Sequence, residues 1–534
     1  MPAELITDIA IIGGGIGGCA AALAAARMGA RVILTEESDW VGGQFTSQAT
    51  PPDEHGWIEQ FGCTKSYRRL RNEVRQHYKM VYPLTPQAQA RPFFNPGDGW
   101  VSPLCAEPLV WLTIIEASLT KYVGQGKLQI LINHRPIAAD TSGDEIRAVT
   151  VQDIITGNEV AITAKYFLDA TELGDLLHYS GTESVSGSES RRETGEPSAS
   201  EIAREDNSQA LSVCFALSYF KEADNTITKP KKYDFWRGYV PALQPPWSGR
   251  LLSLDGLSPR TLAPVSYKLA PHQEPIQAFA GLWTYRRILN RDNFVAGAFE
   301  SDITIVNFPQ IDYLLGDLVT SDYSERAQMI AEAKQLSLSF LYYLQTEHGL
   351  PGLLLRGDVV GTADGLAKMP YIRESRRIRA LFTVKEQHLS ASLRPGANSA
   401  EKFRDSVGIG SYRIDLHPTS GGDNYLDVAA LPFQIPLGSL LPQRVENLLP
   451  AAKNIGTTHI TNGCYRLHPV EWNIGEASGA LAAFCLGKGI PPRQVYLKQE
   501  VLQEFQDSLV KQGVELDWPE NLVLEEGDPH RHAG

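Results

Sequence analysis

The sequence predicts an α/β fold: a Rossmann-like unit with a parallel sheet, into which an α+β domain is inserted. Three observations near the N-terminus support the Rossmann-like unit. DIAII, from Asp8 to Ile12, is a β-branched apolar run typical of a buried parallel strand, and it continues directly into the turn GGGIGG. CAAALAAARMG, from Cys19 to Gly29, is strongly helix-forming. ARVILTEE then predicts a second strand, with Glu36 near its end.

Length and charge restrict what the chain can be. Its 534 residues exceed what one hydrophobic core usually supports, so we expect two domains, or one large domain with insertions. A formal charge of -13 argues against a nucleic-acid partner, because phosphate binding needs a positive field. The sequence contains no long uncharged apolar run, so we expect no membrane partner, and we recognise no secretory signal. The 6 cysteines have no metal-binding spacing, so we expect no metal and a cytoplasmic protein with reduced thiols.

The glycine-rich turn has the spacing of a dinucleotide-binding fingerprint. Gly13 permits the tight turn, Gly15 lets a phosphate approach the backbone, and Gly18 lets helix and strand pack closely. Ile16 lies within this turn, where the free N–H groups of the helix face a diphosphate. An acidic side chain at Glu36 accepts the hydroxyls of an adenosine ribose and repels a 2′-phosphate, which argues against NADP.

The residues after Glu36 favour FAD over NAD. ESDWVGGQFTS contains Gly42 and Gly43, followed by Gln44. This pattern resembles the FAD-binding pattern of the glutathione reductase-like superfamily of flavoproteins, and classical NAD dehydrogenases do not share it. The resemblance implies that these three residues contact FAD.

Two later stretches resemble further parts of the same site. Ala170 and Thr171 end a predicted strand, and the resemblance implies that the chain re-enters the FAD domain there, with Asp175 close by. An ordinary strand, turn and capped helix is the alternative. IGEASGALAAFCLG, from Ile474 to Gly487, predicts a helix rich in small residues. Its N-terminus, near Asn473 to Glu476, would face a reduced flavin, unless the helix is only well packed. The residues expected to contact FAD there are Asn473, Ile474 and Gly475.

The resemblance, now to the FAD-dependent oxidoreductase family of glutathione reductase-like fold, extends to about Gly489. It departs at Lys453-Asn454, where members often have Gly-Arg. It implies a discontinuous FAD-binding domain with an inserted substrate domain. The expected ranges are 1–180 and 431–490 for the FAD-binding domain, 181–430 for the substrate domain, and 491–534 for a C-terminal helix and polar tail.

The chain shows neither a second GxGxxG nor a CxxC pair, so it does not fit a pyridine nucleotide-disulfide reductase. The leading hypothesis is an FAD-dependent dehydrogenase or oxidase. It takes a hydride from a small-molecule substrate and passes electrons to dioxygen or another acceptor. The alternatives are a flavin-dependent reductase of an activated double bond, with an arginine as proton donor, and a non-catalytic flavin-binding scaffold. A homodimer is possible.

Candidate catalytic residues come from two polar stretches. THITNGCYRLHPVEWN is expected to be the loop between the last strand and the last helix, and it offers His459, Arg466 and His468. Histidine can transfer a proton near neutral pH, and arginine can hold a carboxylate. RESRR, beginning at Arg373, is interpreted as a helix whose arginines share a face, suited to an anionic substrate or to an interdomain salt bridge. A third polar group consists of Tyr412, Arg413 and His417.

Overall fold

The protein is described here by a computed structural model covering residues 3–271, 273 and 279–524. The expected polar tail at 525–534 lies outside the described residues. Most strands are short. In chain order they are β1 (Ala3–Ile6), β2 (Ile9–Ile12), β3 (Val32–Glu36), β4 (Leu128–Ile132), β5 (His134–Ser142), β6 (Glu145–Asp153), β7 (Glu159–Thr163), β8 (Tyr166–Asp169), β9 (Ser184–Val185), β10 (Leu211–Ser212), β11 (Phe215–Tyr219), β12 (Asp255–Leu257), β13 (Pro264–Ser266), β14 (Arg287–Leu289), β15 (Ile303–Val306), β16 (Asp312–Tyr313), β17 (Leu353–Leu355), β18 (Arg377–Ile378), β19 (Ser406–Gly410), β20 (Ile414–Leu416), β21 (Leu426–Val428), β22 (Phe433–Pro436) and β23 (Leu448–Pro450).

The helices differ widely in length, and the longest lie near the chain ends and in the middle segment. They are α1 (Ile16–Arg27), α2 (Lys65–Val81), α3 (Pro86–Ala90), α4 (Pro108–Gly124), α5 (Asp175–Tyr179), α6 (Arg191–Thr194), α7 (Tyr233–Gly238), α8 (Leu282–Tyr285), α9 (Tyr323–Thr346), α10 (Gly357–Val360), α11 (Glu386–Leu389), α12 (His459–Tyr465), α13 (His468–Lys488), α14 (Pro492–Leu497) and α15 (Gln499–Gln512). In the described part of the chain, none of them is long and apolar enough to cross a membrane.

A parallel sheet with strand order β23-β8-β2-β3-β4 carries the glycine-rich turn. Its central strand β2 is buried at every residue, as expected for a β-branched strand covered on both faces. β23 comes from the far end of the chain, so both ends build this sheet. The fold is therefore a mixed α/β fold with a Rossmann-like parallel sheet.

Helices α1 and α13 pack with their backbones in close contact because glycines line the crossing. A Cβ added at Gly17 would overlap the carbonyl oxygen of Ala451. A Cβ at Gly475 would overlap the carbonyl oxygen of Gly17, and one at Gly479 would overlap that of Ala21. The small-residue face expected from the sequence thus joins the two ends of the chain.

The middle of the chain has a hydrophobic core of its own. Strands β14-β15-β11-β17 form an antiparallel sheet, and α9 packs near it. Leu217, Val306 and Phe340 are among the residues buried in this core. The apolar segment QALSVCFALSYF contains β10 and β11, and TIVNFP overlaps β15.

Three local predictions are wrong. THITNGCYRLHPVEWN is not a loop, because it forms α12 and the start of α13. α13 begins at His468 rather than near Asn473, and Pro469 in its first turn is compatible with that start because proline's missing N–H would have no helical partner there. RESRR is not a helix: it is extended and leads into β18. Its arginines therefore do not share a helical face.

Candidate active site

A cavity of about 770 Å³ lies at the carboxyl edge of the parallel sheet. Its walls come from the residues that directly follow β2, β3 and β8, the position where open α/β sheets bind ligands. The predicted cofactor residues that line it are Gly13, Gly15, Glu36, Gly43, Ala170, Thr171 and Asp175. We call it the cofactor cavity.

The glycine-rich turn forms a cradle that side chains would fill. Gly13 has a φ of +104°, and a Cβ there would overlap the carbonyl oxygen of Ala170. A Cβ on Gly43 would lie 2.9 Å from the Cα of Gly15. The first turn of α1 follows immediately, so its free N–H groups and positive dipole end favour a diphosphate. Gln48 also lines the cavity, and its Oε1 is buried without a partner among the described residues, so it can accept a donor from a bound cofactor. These residues fit FAD.

Glu36 is held by backbone and side-chain donors at the end of β3. Its Oε2 accepts a bond from the Gly14 N–H at 3.0 Å, and its Oε1 accepts bonds from the N–H and the hydroxyl of Ser38 at 2.9 and 2.7 Å. Burial raises the pKa of this carboxyl to about 7. Its place in the cavity wall is compatible with the predicted ribose contact, which stays a prediction.

The buried cation Lys453 belongs to the Lys453-Asn454 pair, where members of the family that the sequence resembles often have Gly-Arg. Lys453 is fully buried and pairs with Glu172, which lines the cofactor cavity. Burial alone would lower the pKa of Lys453, but the carboxylates of Glu172 and Glu471 raise it. The side chain therefore stays charged beside the glycine-rich turn.

The other predicted cofactor residues of the first half of the chain are packed behind the cavity wall. Ile16 is the buried first residue of α1, and a Cβ at Gly18 would overlap the carbonyl oxygen of Gly13. Gly42 has a φ of +106°, and its N–H donates to the Gly14 carbonyl at 2.8 Å. Gln44 donates from Nε2 to the Arg466 carbonyl at 3.1 Å and to Glu471 at 2.8 Å.

Asn473, Ile474 and Gly475 lie in the second turn of α13 rather than at its N-terminus. The Oδ1 of Asn473 accepts a bond from the Ile409 N–H at 3.3 Å, and Gly475 packs on Gly17. Their N–H groups therefore bond within the helix rather than facing a cofactor, and the three residues position α13 against α1 and β19.

A second cavity, of about 420 Å³, adjoins the first across an extended segment of the chain. Met369, Pro370 and Ile372 line the cofactor cavity, whereas Tyr371 and Arg373 line the second one. From Pro370 to Arg373 the residues alternate between the two cavities, as expected for extended backbone, in which successive side chains point to opposite sides. We call the second cavity the substrate cavity.

His417 lines the substrate cavity and pairs with Asp312, which is buried behind it. His417 directly follows β20, Asp312 begins β16, and the His417 Nδ1 lies 2.6 Å from the Asp312 Oδ2. Burial lowers the pKa of His417. Burial alone would raise the pKa of Asp312, but Arg373 and His417 lower it, so the carboxylate stays charged. A neutral His417 then donates from Nδ1 to Asp312, which leaves Nε2 as the proton acceptor.

Two predicted catalytic arginines line the substrate cavity. Arg373 donates to the Ala210 carbonyl at 2.7 Å and lies 3.3 Å from Asp312. Arg466 donates to the Tyr371 hydroxyl at 2.9 Å. The Nε of each is buried without a partner among the described residues. Both arginines thus keep one donor for a ligand.

The two predicted catalytic histidines lie outside the substrate cavity. His459 pairs with Glu374 at 3.0 Å, and although burial alone would lower its pKa, Glu374 raises it. It borders a smaller cavity of about 200 Å³ that also reaches His417. His468 accepts from the Asp53 N–H at 3.3 Å and donates from Nε2 to the Thr50 carbonyl at 3.2 Å. Burial lowers its pKa to about 4, so it is a neutral structural group.

The residues that sequence reasoning missed are brought in from distant segments. Asp312 lies 105 positions before His417, and Arg286 lies 233 positions after Asp53, which it pairs with at 3.5 Å. No local pattern marks Asp53, Arg286 or Asp312. Among the described residues, no group of three or more His, Cys, Asp and Glu side chains could hold a metal ion.

Comparisons with solved structures find distant similarity to several flavoproteins. Quinol fumarate reductase FrdA of E. coli is 10% identical with a TM-score of 0.33, and the match covers 96% of this chain and 74% of that one. L-proline dehydrogenase of P. horikoshii is 17% identical with a TM-score of 0.18, over 35% and 25%. The myxobacterial chondrochloren halogenase CndH is 14% identical with a TM-score of 0.21, over 42% and 45%. The chain thus spans less than half the length of the latter two proteins.

No curated protein sequence matches the chain significantly. The family model described as FAD dependent oxidoreductase, in contrast, matches residues 8–509, which includes both cavities and the parallel sheet. That match, together with a cavity that fits FAD, makes the protein an FAD-dependent enzyme. The chain belongs to the FAD dependent oxidoreductase family.

Proposed function

We propose that the protein oxidises a small organic substrate in the substrate cavity by hydride transfer to FAD, and passes the electrons to dioxygen or another acceptor. FAD, when bound, supplies the two-electron acceptor. The observation that carries the proposal is that the neutral His417 lines the substrate cavity together with the segment 369–373, whose residues also line the cofactor cavity.

His417 takes the proton that the substrate loses when its hydride leaves. Its Nε2 is the acceptor, because the Nδ1–H is bound to Asp312. Ser212 donates to the other oxygen of Asp312 at 2.7 Å and keeps this carboxylate in place. Arg466 and Arg373 orient the substrate through their remaining donors.

The proposal also divides the chain into two domains, and residues of both line each cavity. A glutathione reductase-type FAD-binding domain comprises residues 1–180 and 431–490, and a substrate domain comprises 181–430. The parallel sheet assembled from both chain ends supports the first assignment. The separate core around β11 and α9 supports the second.

Anaerobic mixing tests the proposal. The FAD-loaded protein should lose the visible absorption of oxidised flavin when its substrate is added, and the His417→Asn variant should keep FAD but lose this reaction. The proposal fails if the protein does not retain FAD, or if His417→Asn is reduced by the substrate as fast as the parent protein.

Reduction of an activated double bond is a second candidate. The buried guanidinium of Arg466, with its free Nε, favours it because that reaction needs a proton donor in the cavity. Chemically reduced protein should then be reoxidised by an unsaturated acid, and Arg466→Lys should slow this step. Since the family consists of oxidoreductases, the non-catalytic scaffold is not retained.

A further inference from the structure

We propose that the substrate cavity binds an uncharged polyhydroxylated ring, a sugar or a cyclitol, and that a secondary alcohol on this ring is oxidised. The inference rests on the proposed oxidation and adds the class of substrate. It follows from the charge balance of the cavity, from its unpaired donors and from its aromatic walls.

The arginines buried in the cavity wall are each neutralised by an aspartate. The closest distances are 3.3 Å for Arg373 to Asp312, 3.5 Å for Arg286 to Asp53 and 3.7 Å for Arg466 to Asp415. Arg413 pairs with Asp427 in the same way. The remaining arginine of the cavity, Arg260, is exposed at its rim.

An anionic substrate inside this cavity would therefore lack a buried counterion of its own. Burying an unpaired charge is unfavourable, so such a site disfavours a carboxylate relative to an uncharged ligand. Glu54, the remaining acid of the wall, is itself paired with Arg71 at 2.8 Å. The charge balance favours an uncharged substrate.

The same wall presents donors that have no partner and acceptors beside them. Among the described residues, no partner is found for the donors Arg286 Nε, Arg373 Nε, Arg466 Nε, Asn307 Nδ2 and the Tyr425 hydroxyl. The paired aspartates supply carboxylate oxygens nearby. A hydroxyl group both donates and accepts, so a ligand with several hydroxyls satisfies both sets at once. A hydrocarbon ligand would leave the buried donors without partners, which is unfavourable.

Aromatic rings complete the wall. Tyr285 lies at the centre of an aromatic cluster, with ring centroids 5.1 Å from Phe279 and 5.7 Å from Trp100. Tyr371 and Tyr412 line the cavity as well. The negative face of an aromatic ring attracts the weakly positive C–H groups of a sugar ring. A volume of about 420 Å³ lies in the range of small-molecule sites.

The chemistry balances without a further reactant. The C–H bond of the secondary alcohol breaks, and its hydrogen leaves with two electrons as a hydride to FAD. The hydroxyl proton goes to the Nε2 of His417, and the C–O single bond becomes the carbonyl of a ketone. Bound FAD would serve as the two-electron acceptor, and the proton later leaves His417 for solvent.

A panel of paired ligands tests the inference on the FAD-loaded full-length protein under anaerobic conditions. One set contains uncharged monosaccharides, disaccharides, methyl glycosides and inositols. The second contains the matched uronic acids, and the third contains open-chain hydroxy acids and dicarboxylates. The readouts are loss of oxidised-flavin absorption and a ligand-induced rise in Tm, which does not require turnover.

At least one uncharged polyol should reduce the flavin and raise Tm, with kcat/KM at least about tenfold above that of its uronic acid, equivalent to 1.4 kcal/mol. Reduction by acids alone would overturn the substrate class while leaving the proposed oxidation intact. The inference also fails if no polyol reduces the flavin or raises Tm. The proposed oxidation is judged separately, by FAD retention and by the His417→Asn variant.

A charge-changing variant gives a second, independent test. Asp415→Asn leaves Arg466 without its counterion, so the preference for the polyol over the matched uronic acid should shift toward the acid by about tenfold. Asp234→Asn is the control, because this side chain is 84% exposed and is not among the residues that line the cavity. An unchanged preference in a folded, FAD-loaded Asp415→Asn protein contradicts the inference.

Discussion

At the scale of single residues, the partners of a buried histidine determine whether one of its ring nitrogens is left to accept a proton. His417 and His468 are both buried, but the surroundings of their ring nitrogens differ. His468 uses one nitrogen as an acceptor for the Asp53 N–H and the other as a donor to Thr50. Among the residues that the structure describes, His417 has a ring-nitrogen partner at Nδ1 only, a carboxylate that stays charged. The same residue type is thus a structural group at one position and a proposed base at the other.

Removing the proposed base should slow oxidation strongly. For His417→Asn we expect the rate of flavin reduction to fall by about 100-fold to 10,000-fold, the usual contribution of a general base. Stopped-flow absorption of the flavin measures this rate. His348→Asn is the control, because that histidine is exposed. An equal effect of both substitutions would contradict the assignment.

The pH dependence of the parent protein should follow from the same residue. Burial holds the pKa of His417 below 6.5, so the imidazole is neutral at neutral pH and becomes protonated only in more acidic solution. The rate of flavin reduction should therefore level off at neutral pH and fall only in solution more acidic than the lowered pKa of His417. A rate that increases toward acid pH would indicate a different base.

His468 should affect stability rather than chemistry. Its pKa is about 4 in the folded protein and 6.5 in the unfolded chain, so between these values only the unfolded chain binds the proton. The contribution of His468 to the free energy of unfolding is then lost as the pH falls from about 6.5 to 4, by about 3 kcal/mol in total. Urea titrations of the parent and His468→Gln over this range measure it, and a difference that does not change with pH would refute it.

At the scale of elements, the crossing of α1 and α13 joins the two ends of the chain. Gly475→Ala places a methyl group on the Gly17 carbonyl, so the helices must separate. We expect a loss of about 1–3 kcal/mol in stability, as in other overpacked cores, together with weaker FAD binding. Thermal unfolding and flavin titration measure the two effects.

The same helix offers a matched control. Gly487 also lies in α13, but a Cβ there meets nothing within 4 Å. Gly487→Ala should be neutral or stabilise the protein by up to about 1 kcal/mol, because alanine favours helix. If both substitutions have the same effect, helix propensity rather than packing controls this element.

At the scale of the whole molecule, the cofactor cavity is lined by residues that lie far apart in the chain, from Gly13 to Ile372. FAD should therefore stabilise distant segments together. At about 100 times Kd it should add roughly 2.7 kcal/mol to the free energy of unfolding. Hydrogen exchange should slow both in β2 and α1 and in the segment 369–372.

A variant in the turn separates this coupling from local effects. Gly15→Val fills the cradle and should abolish the FAD-dependent slowing in both segments, whereas Gly124→Val, which has open space around it, should preserve it. Slowing confined to β2 and α1 in the parent protein would show that the segment 369–372 is not part of the FAD site.

The first part of the fold could be predicted because its elements are adjacent in the sequence. β2, the glycine-rich turn, α1 and β3 follow one another in the chain, and the FAD assignment and the family were recognisable from these residues and the later family-like stretches. The start of α13 was predicted five residues too late, although Pro469 marked it. The charge spacing of RESRR suits a helix, but this spacing carries no information about tertiary contacts, and the segment is not helical.

The sequence by itself determined the nucleotide turn, because such a turn depends on backbone conformation and on neighbouring residues. Only the tertiary structure decided the substrate cavity. His417 meets Asp312, and Arg466 meets Asp415, through the packing of segments from different parts of the chain. Contacts between distant segments leave no periodic signal, so the partner that holds a histidine neutral, or that neutralises an arginine, cannot be read from either residue alone.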